Sequence, residues 1–382
     1  MNNFPLFERF PTLSKIPKLD LGKFPTPVDK LENISKINPN IEVYIKRDDL
    51  SSDLYGGNKV RKYEFVLADA LQKKKTEILT TGGIGSNHAL ANTIFAKQLI
   101  LNSHVFLFDQ PLNDLVRKNL LLDSHYGAKM HYTKGYGRTA LAMIRKYLFD
   151  RKSYLIMPGA STPLGTIGFV NAAMELQNQI DSGQCPPIDE LFVAVGSTGT
   201  CAGLSLGLEL INSPVHVTGV TVSMIKFSNK KAVLKQMKNT LKLLRKYDSN
   251  IPDVSNRFDA RLDVDESFFG GLYGKCTYEA KYCIKELKKD GITLDPTYTA
   301  KTFSCLMHQI LNAPKFTENT TSEKKRFLFW HTLNSKDLSD LAKRVNYHNL
   351  PKSFHKFFDG SVPEDTTPVW CDDSHIEEFS AH

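Results

Sequence analysis

Apolar and polar residues alternate along the chain in two rhythms that take turns. Short runs rich in β-branched and aromatic residues predict strands over Ile41–Lys46, Glu77–Thr81, His104–Phe108, Lys129–Tyr132, Tyr154–Met157, Glu190–Val195, His216–Val222 and Arg326–His331. Between them, apolar residues at helical spacing predict helices over Val60–Leu71, Ala89–Leu101, Asn113–Tyr126, Arg138–Arg151 and Gly165–Ile180. Further helices are expected up to Ile211, over 229–246, over Thr277–Lys289, up to about Leu311, and from Ser335 onward. The run Leu191-Phe192-Val193-Ala194-Val195 has no polar face, as a strand buried on both sides should not. Strands alternating with helices predict an α/β fold with parallel-rich sheets. Residues 1–40 read as irregular, 314–325 as a polar loop, and the stretch after about 352 as loosely packed or disordered. No internal repeat or low-complexity tract stands out.

The chain has 382 residues, 41% apolar and 24% charged, as a globular protein has. No apolar run approaches the ~18 residues needed to cross a bilayer, and the start carries no basic region followed by an apolar core, so neither membrane nor secretion is expected. Six cysteines (Cys185, Cys201, Cys276, Cys283, Cys305 and Cys371) form no CxxC pair and no metal spacing, and read as free thiols of a cytoplasmic protein. The net charge of +8 splits into −6 over 353–382 (one Lys, seven Asp or Glu) and therefore +14 over 1–352. The basic residues are spread and no nucleic-acid motif accompanies them, so no nucleic-acid partner is expected. The basic helix 229–246 carries an apolar stripe of Val233, Leu234, Met237, Leu241 and Leu244, and reads as a packed helix with a solvated face.

Three stretches carry chemistry. In Gly56-Gly57-Asn58-Lys59-Val60-Arg61-Lys62, two glycines permit a tight turn into a helix, and Lys59 sits at the junction. A lysine there either snorkels into solvent or enters a pocket, loses hydration and becomes a nucleophilic amine. Gly82-Gly83-Ile84-Gly85-Ser86-Asn87-His88 joins a strand to a helix, where anions bind and where Ser86 and Asn87 also cap. Gly196-Ser197-Thr198-Gly199-Thr200-Cys201-Ala202-Gly203 follows the buried strand and makes a nest of N–H donors for a phosphate. It lacks the lysine of a P-loop and fits the dinucleotide fingerprint only loosely. Lys46-Arg47-Asp48-Asp49 reads as a loop cap or a solvated cluster. A lysine amine plus a separate phosphate cradle is what pyridoxal 5'-phosphate requires.

With these stretches in order, together with Gly159-Ala160-Ser161, Pro163-Leu164-Gly165, Leu294–Thr299 and Phe329-Trp330-His331-Thr332, the chain resembles the D-cysteine desulfhydrase / 1-aminocyclopropane-1-carboxylate (ACC) deaminase family over roughly residues 8–345. That family is pyridoxal-phosphate dependent and has the tryptophan-synthase-β-like fold, fold type II. The resemblance implies a large α/β domain (1–62 and 166–352), a smaller one (63–165) inserted in it, an acidic tail (353–382), and a homodimer. It implies Lys59 as the Schiff-base lysine, and Lys62 with Gly196, Ser197, Thr198, Gly199 and Thr200 as the phosphate site. Asn58 and Asn87 would touch cofactor or substrate carboxylate, Ser86 would be the active-site serine and His88 its neighbour at the substrate. Tyr273 and Tyr298 would face the substrate, and Thr332 the pyridine ring.

The implied activity is lyase chemistry on a small amino acid. Family ACC deaminases usually carry Glu after the second tyrosine and Leu after the last strand's His. Thr299 and Thr332 stand there, so D-cysteine desulfhydrase is the favoured reading. ACC deaminase, another dehydratase or racemase, and a non-catalytic binder are the alternatives. The chain departs from the family at Gly85, where Gln is frequent and a roomier pocket is therefore expected. It departs again at Leu333-Asn334, where Gly-Gly is usual.

Overall fold

A computed structural model describes residues 4–314 and 324–361. Among the described residues, ten strands run in chain order: β1 (Val28–Lys30), β2 (Ile41–Lys46), β3 (Glu77–Gly83), β4 (Asn102–Phe108), β5 (Lys129–Lys134), β6 (Ser153–Leu155), β7 (Glu190–Val195), β8 (His216–Thr221), β9 (Leu262–Asp265) and β10 (Lys325–Trp330). The helices are α1 (Pro5–Arg9), α2 (Glu32–Ser35), α3 (Lys59–Gln72), α4 (Asn87–Gln98), α5 (Asp114–His125), α6 (Tyr136–Phe149), α7 (Pro163–Asp181), α8 (Gly199–Leu210), α9 (Lys230–Tyr247), α10 (Tyr278–Leu287), α11 (Thr299–Asn312) and α12 (Ser339–Lys343). One sheet has the order β1-β2-β10-β7-β8-β9, parallel except for the β1 edge. The other has the order β5-β4-β3-β6 and is parallel throughout.

Parallel sheets demand cover on both faces. One core gathers α7, α8 and α9 on the six-stranded sheet, through residues such as Phe169, Leu204, Met237 and Leu241. Another closes the opposite face with α10 and α11, through Leu287, Phe303 and Met307. The predicted stripe of α9 is realised: Val233, Met237, Leu241 and Leu244 are buried. Close helix contact requires glycine on α8. A Cβ at Gly203 would lie 2.4 Å from Phe169 Cβ, and one at Gly207 would lie 2.6 Å from Ala173 Cβ. Those two positions press α8 against α7 and so set where the start of α8 points.

A buried ionic network ties both ends of the chain to the turn before α3. Arg61 reaches Asp48 at 2.7 and 2.9 Å and Glu175 at 2.8 and 2.9 Å. Lys46 Nζ lies 2.7 Å from Glu175 and donates to the Thr26 carbonyl at 2.7 Å. Trp330 Nε1 donates to Asp48 at 2.8 Å. Two cations thus meet two carboxylates, each with further hydrogen bonds, which is what buried charge requires. Burial alone would raise the Glu175 carboxyl, but Arg61 and Lys46 outweigh it and hold it at about 2. Burial pushes the Lys46 ammonium down, and Glu175 opposes that shift.

The structure corrects several expectations. Lys46 and Asp48 are buried, not part of a solvated cluster, because their partners arrive from α3, α7 and β10, while Asp49 is buried beneath Arg47. Residues 4–40 hold α1, α2 and β1, and β9 is an added edge strand. No long helix begins at Ser335. The chain makes the five-residue α12 and then short 3-10 turns at Tyr347–Asn349 and Lys352–Phe357. The last of these is packed, not loose: Phe354 and Phe357 are buried against Val105, Leu107 and Tyr132. The 314–325 loop falls mostly, and the acidic tail beyond 361 wholly, outside the described residues.

Glu175→Ala is expected to strip Lys46 of the Glu175 carboxylate and leave Arg61 with Asp48 alone, destabilising the fold by about 3–5 kcal/mol, read as a lowered midpoint in chemical denaturation. The Glu175 contribution is present above its ordinary pKa of 4.5 and is lost as pH falls from there towards about 2. The gap between wild type and variant should therefore narrow across that window.

Candidate active site

In parallel sheets, ligand sites form beyond the carboxyl ends of the strands. The ends of β3, β7 and β10 all open onto one cavity of about 530 Å³. That is within the roughly 300–1,000 Å³ of small-molecule sites. Lys59 begins α3 on one wall, Ser86 caps α4 on another, and the loop from Gly196 to Thr200 enters α8 beside them.

Lys59 is half-buried, and its Nζ donates to Asn58 Oδ1 at 2.8 Å. Burial pulls its ammonium down to about 8, against the opposing charge of Asp295. The amine therefore loses its proton far more readily than a surface lysine. Asn58 in turn donates to Thr200 Oγ1 at 3.0 Å. The turn itself is closed by Asn58 N donating to the Thr332 carbonyl at 3.1 Å. Gly57 has φ +90°, and a Cβ there would lie 2.7 Å from that same oxygen, so glycine is required.

Lys62 lies one turn further on and is buried. It donates to the Gly159 carbonyl at 3.1 Å and to Ser161 Oγ at 2.9 Å. Among the described residues it has no carboxylate partner. Burial, and then the neighbouring Lys59, push its ammonium well below the ordinary range. A buried cation without a counter-charge at the start of α8 calls for an anion. Ser161 Oγ also bonds Ser197 Oγ at 2.8 Å and accepts from Gly199 N at 3.2 Å. A Cβ at Gly199 would fill this cradle, 2.6 Å from Ser161 Oγ and 3.1 Å from Lys62 Nζ. Thr198 adopts φ +66°, a strained conformation of the kind that collects at ligand sites. The donor set of Lys62, Ser161, Ser197 and Gly199 fits a phosphate, and Lys59 fits an aldehyde. Together they fit pyridoxal phosphate.

Across the cavity, Tyr273 and Tyr298 share a short hydroxyl–hydroxyl hydrogen bond, with rings in an edge arrangement 6.0 Å apart. Burial raises both phenols, Tyr298 further because of Tyr273, so both keep their protons in the working range. Asn87 Oδ1 accepts from Asn119 at 3.0 Å. Ser86 Oγ accepts from Ala89 N at 3.2 Å. His88 also lines the cavity, but its ring nitrogens are engaged by Tyr63 at 2.7 Å and Thr80 at 2.8 Å. Burial, then Lys59 and Lys62, hold the imidazole neutral.

Sequence reasoning missed three contributors. Asp295 accepts from the backbone N–H of Thr297, Tyr298 and Thr299 and from Thr299 Oγ1, so it holds the turn that presents Tyr298. Its place just before a Pro-Thr-Tyr turn, where Asp caps backbone donors, was the available signal. Ser161 completes the phosphate cradle from 36 residues away; the Gly159-Ala160-Ser161 stretch stands out in sequence but carries no assigned role there. Gln110 corrects the roomier pocket expected at Gly85: a Cβ there would meet Val116 at 2.6 Å and Gln110 Nε2 at 3.0 Å, so Gln110 fills that space.

The pyridoxal-phosphate dependent enzyme family matches residues 19–331. The chain belongs to this family. It is 34% identical over 309 residues to a putative ACC deaminase of Pyrococcus horikoshii, covering 77% of this chain and 87% of that one. It is 31% identical over 332 residues to a D-cysteine desulfhydrase of Klebsiella pneumoniae, covering 84% and 94%. A solved structure described as an ACC deaminase homologue superposes with a TM-score of 0.68 at 30% identity, over 94% of this chain and 99% of that one. The chain is therefore a pyridoxal-phosphate dependent enzyme of fold type II, and the cofactor is pyridoxal 5'-phosphate.

Lys59→Ala is expected to abolish the visible absorbance band that forms when pyridoxal phosphate is added. Lys62→Met should leave a band but raise the cofactor dissociation constant about 10–100-fold, the worth of a charge-assisted contact. Formation of the band by unloaded protein should quicken as pH rises, with a midpoint near 8, since only the neutral Lys59 amine attacks an aldehyde.

Proposed function

We propose that the protein is a lyase for a small amino acid, with D-cysteine as the first substrate to test, giving pyruvate, hydrogen sulfide and ammonia. The observation that carries this reading is a half-buried, easily deprotonated Lys59 sharing one cavity with two protonated tyrosines. Pyridoxal phosphate, when bound, supplies the electron sink for charge left at the substrate Cα. Lys62, Ser161, Ser197 and the first turn of α8 would hold its phosphate. Lys59 takes the Cα proton as a general base. Tyr298 or Tyr273 gives a proton to the leaving sulfur, and Asp295 keeps Tyr298 in place. Asn58 orients the Lys59 amine, Ser86 and Asn87 receive the substrate carboxylate, and Thr332, in the cavity lining, would help hold the cofactor.

ACC deamination is the second reading. The putative ACC deaminases and the ACC deaminase homologue among the relatives favour it. Thr299 weighs against it: its hydroxyl is bonded to Asp295 at 2.8 Å and is buried, so it does not supply the carboxylate that ACC deaminases usually carry there. We further infer a division into a larger domain (1–62 and 166–352), mostly around the six-stranded sheet but with its segment from Leu338 packed on the other, a smaller domain (63–165) around the four-stranded sheet, a homodimer, and a cytoplasmic location. Two separate sheets support the division, free cysteines among the described residues fit the location, and the homodimer rests on the family resemblance alone.

Cofactor-loaded protein given D-cysteine should release pyruvate and sulfide in equal amounts, and Tyr298→Phe should lower kcat about 10²-fold, in line with loss of a general acid. Release of 2-oxobutanoate from ACC without sulfide from D-cysteine would transfer the assignment to the second reading.

A further inference from the structure

The catalytic end of the cavity is polar, whereas its mouth, apart from the exposed Asp109, is rich in large apolar side chains. Tyr136 at the start of α6, Met157 after β6, Met224 and Phe227 after β8, and Leu272 in the 270–274 loop all line the opening. These large apolar side chains stand well exposed: Tyr136 50%, Phe227 50% and Leu272 55%. Phe108, at the end of β4, supports Tyr136 edge-on at 5.8 Å. Tyr136 and Phe227 approach across the opening from the two different sheets, stacked with their ring planes 26° apart and centroids 6.5 Å apart. Exposed apolar side chains scattered singly need no explanation, but their convergence from separate segments on one cavity marks a binding surface. Cysteine and ACC have nothing apolar long enough to bury there.

We propose that the mouth is a subsite for a bulky apolar substituent on the sulfur of the substrate, so that the preferred substrates are S-aryl or S-aralkyl cysteines instead of free cysteine. This deepens the lyase reading above and rests on it. The reaction is the same elimination: the Cα–H and Cβ–S bonds break, the sulfur leaves as a thiol with a proton, and one water is consumed in giving pyruvate and ammonium. No oxidant or reductant is needed. Tyr136 and Phe227 together offer the departing group an aromatic surface to pack against, which offset or edge-on contacts favour.

The test reads binding as well as turnover. Cofactor-loaded protein is titrated calorimetrically with α-methyl-S-benzylcysteine and α-methyl-S-methylcysteine, in both enantiomers. Neither compound has a Cα hydrogen, so neither is turned over. The benzyl compound should bind about tenfold tighter or more, as burial of an aromatic ring implies. Tyr136→Ala and Phe227→Ala should each shrink that ratio at least about threefold, and Tyr136→Phe should preserve it. The ratio of kcat/KM for S-benzylcysteine over cysteine, followed by pyruvate release, should fall in parallel. Equal affinity for the two analogues would overturn the subsite while leaving the amino-acid site intact. Equal weakening of both analogues by the alanine variants would also overturn it and make the aromatic pair a lid. Failure of both analogues to bind would overturn the lyase reading together with the subsite.

Discussion

The site depends on one buried guanidinium. Arg61 lies two residues beyond Lys59, on the same first turn of α3, and is clamped between Asp48 after β2 and Glu175 on α7. The Arg61 fork offers parallel donors to two carboxylates, a geometry that a lysine cannot match. Trp330 joins from the adjacent strand through Asp48. Once Arg61 is fixed, the direction of α3 is fixed, and with it the places of Lys59 and Lys62 on neighbouring turns. A buried network of this kind adds less stability than its contact list suggests, because each ion must first be desolvated. Its benefit here is placement: it registers a loop, two strands and two helices against one another at the root of the reactive amine.

The electrostatics of the cavity follow from that placement. Two lysines enter one desolvated space, and among the described residues only Asp295 acts on either of them as a nearby opposite charge. Asp295 is itself occupied with backbone donors from the turn that carries Tyr298. The result is a local excess of positive charge together with the starting turn of α8, which has unpaired N–H groups of its own. Such a site favours an anion strongly, and it favours the neutral form of whichever lysine is not holding that anion. Lys62 is tied to Ser161 and Gly159 beside the cradle, while Lys59 is held only by Asn58. The division of labour between anchor and base is thus set by hydrogen bonding more than by depth.

Much of this was legible in sequence because it is local. Buried parallel strands announce themselves as unbroken apolar runs, so β7 and the nest that follows it could be read from Leu191 to Gly203. The glycines before Lys59 likewise mark a turn that opens a helix. What escaped was whatever is made by pairing distant residues. Asp48 and Arg61 look like ordinary surface charges until Glu175, 114 residues beyond Arg61, arrives to bury them. Gln110 fills the space beside Gly85 from a different strand end, so a small residue at one position did not mean room there. The segment after Ser335 misled for a related reason: its apolar residues are spaced to dock on neighbours, with Phe354 and Phe357 packing beside Tyr132, and not to line one face of a long helix.

A polarity gradient runs along the cavity, and it constrains what the enzyme can do. At the inner end, amine, phenols and hydroxyls stand in a space that a bound substrate would dry, which strengthens each of their interactions. At the outer end, apolar side chains from both sheets face water unless something covers them. Such exposure works against solubility and contributes nothing to the core. A substrate that only reached the inner end would leave that outer surface wet throughout the reaction, and the inner groups less protected from solvent. A substrate with an apolar extension would cover the mouth and seal the inner end in one step. Binding energy from the non-reacting part of the molecule would then be used at the reacting part, which is how remote contacts raise kcat instead of merely lowering KM.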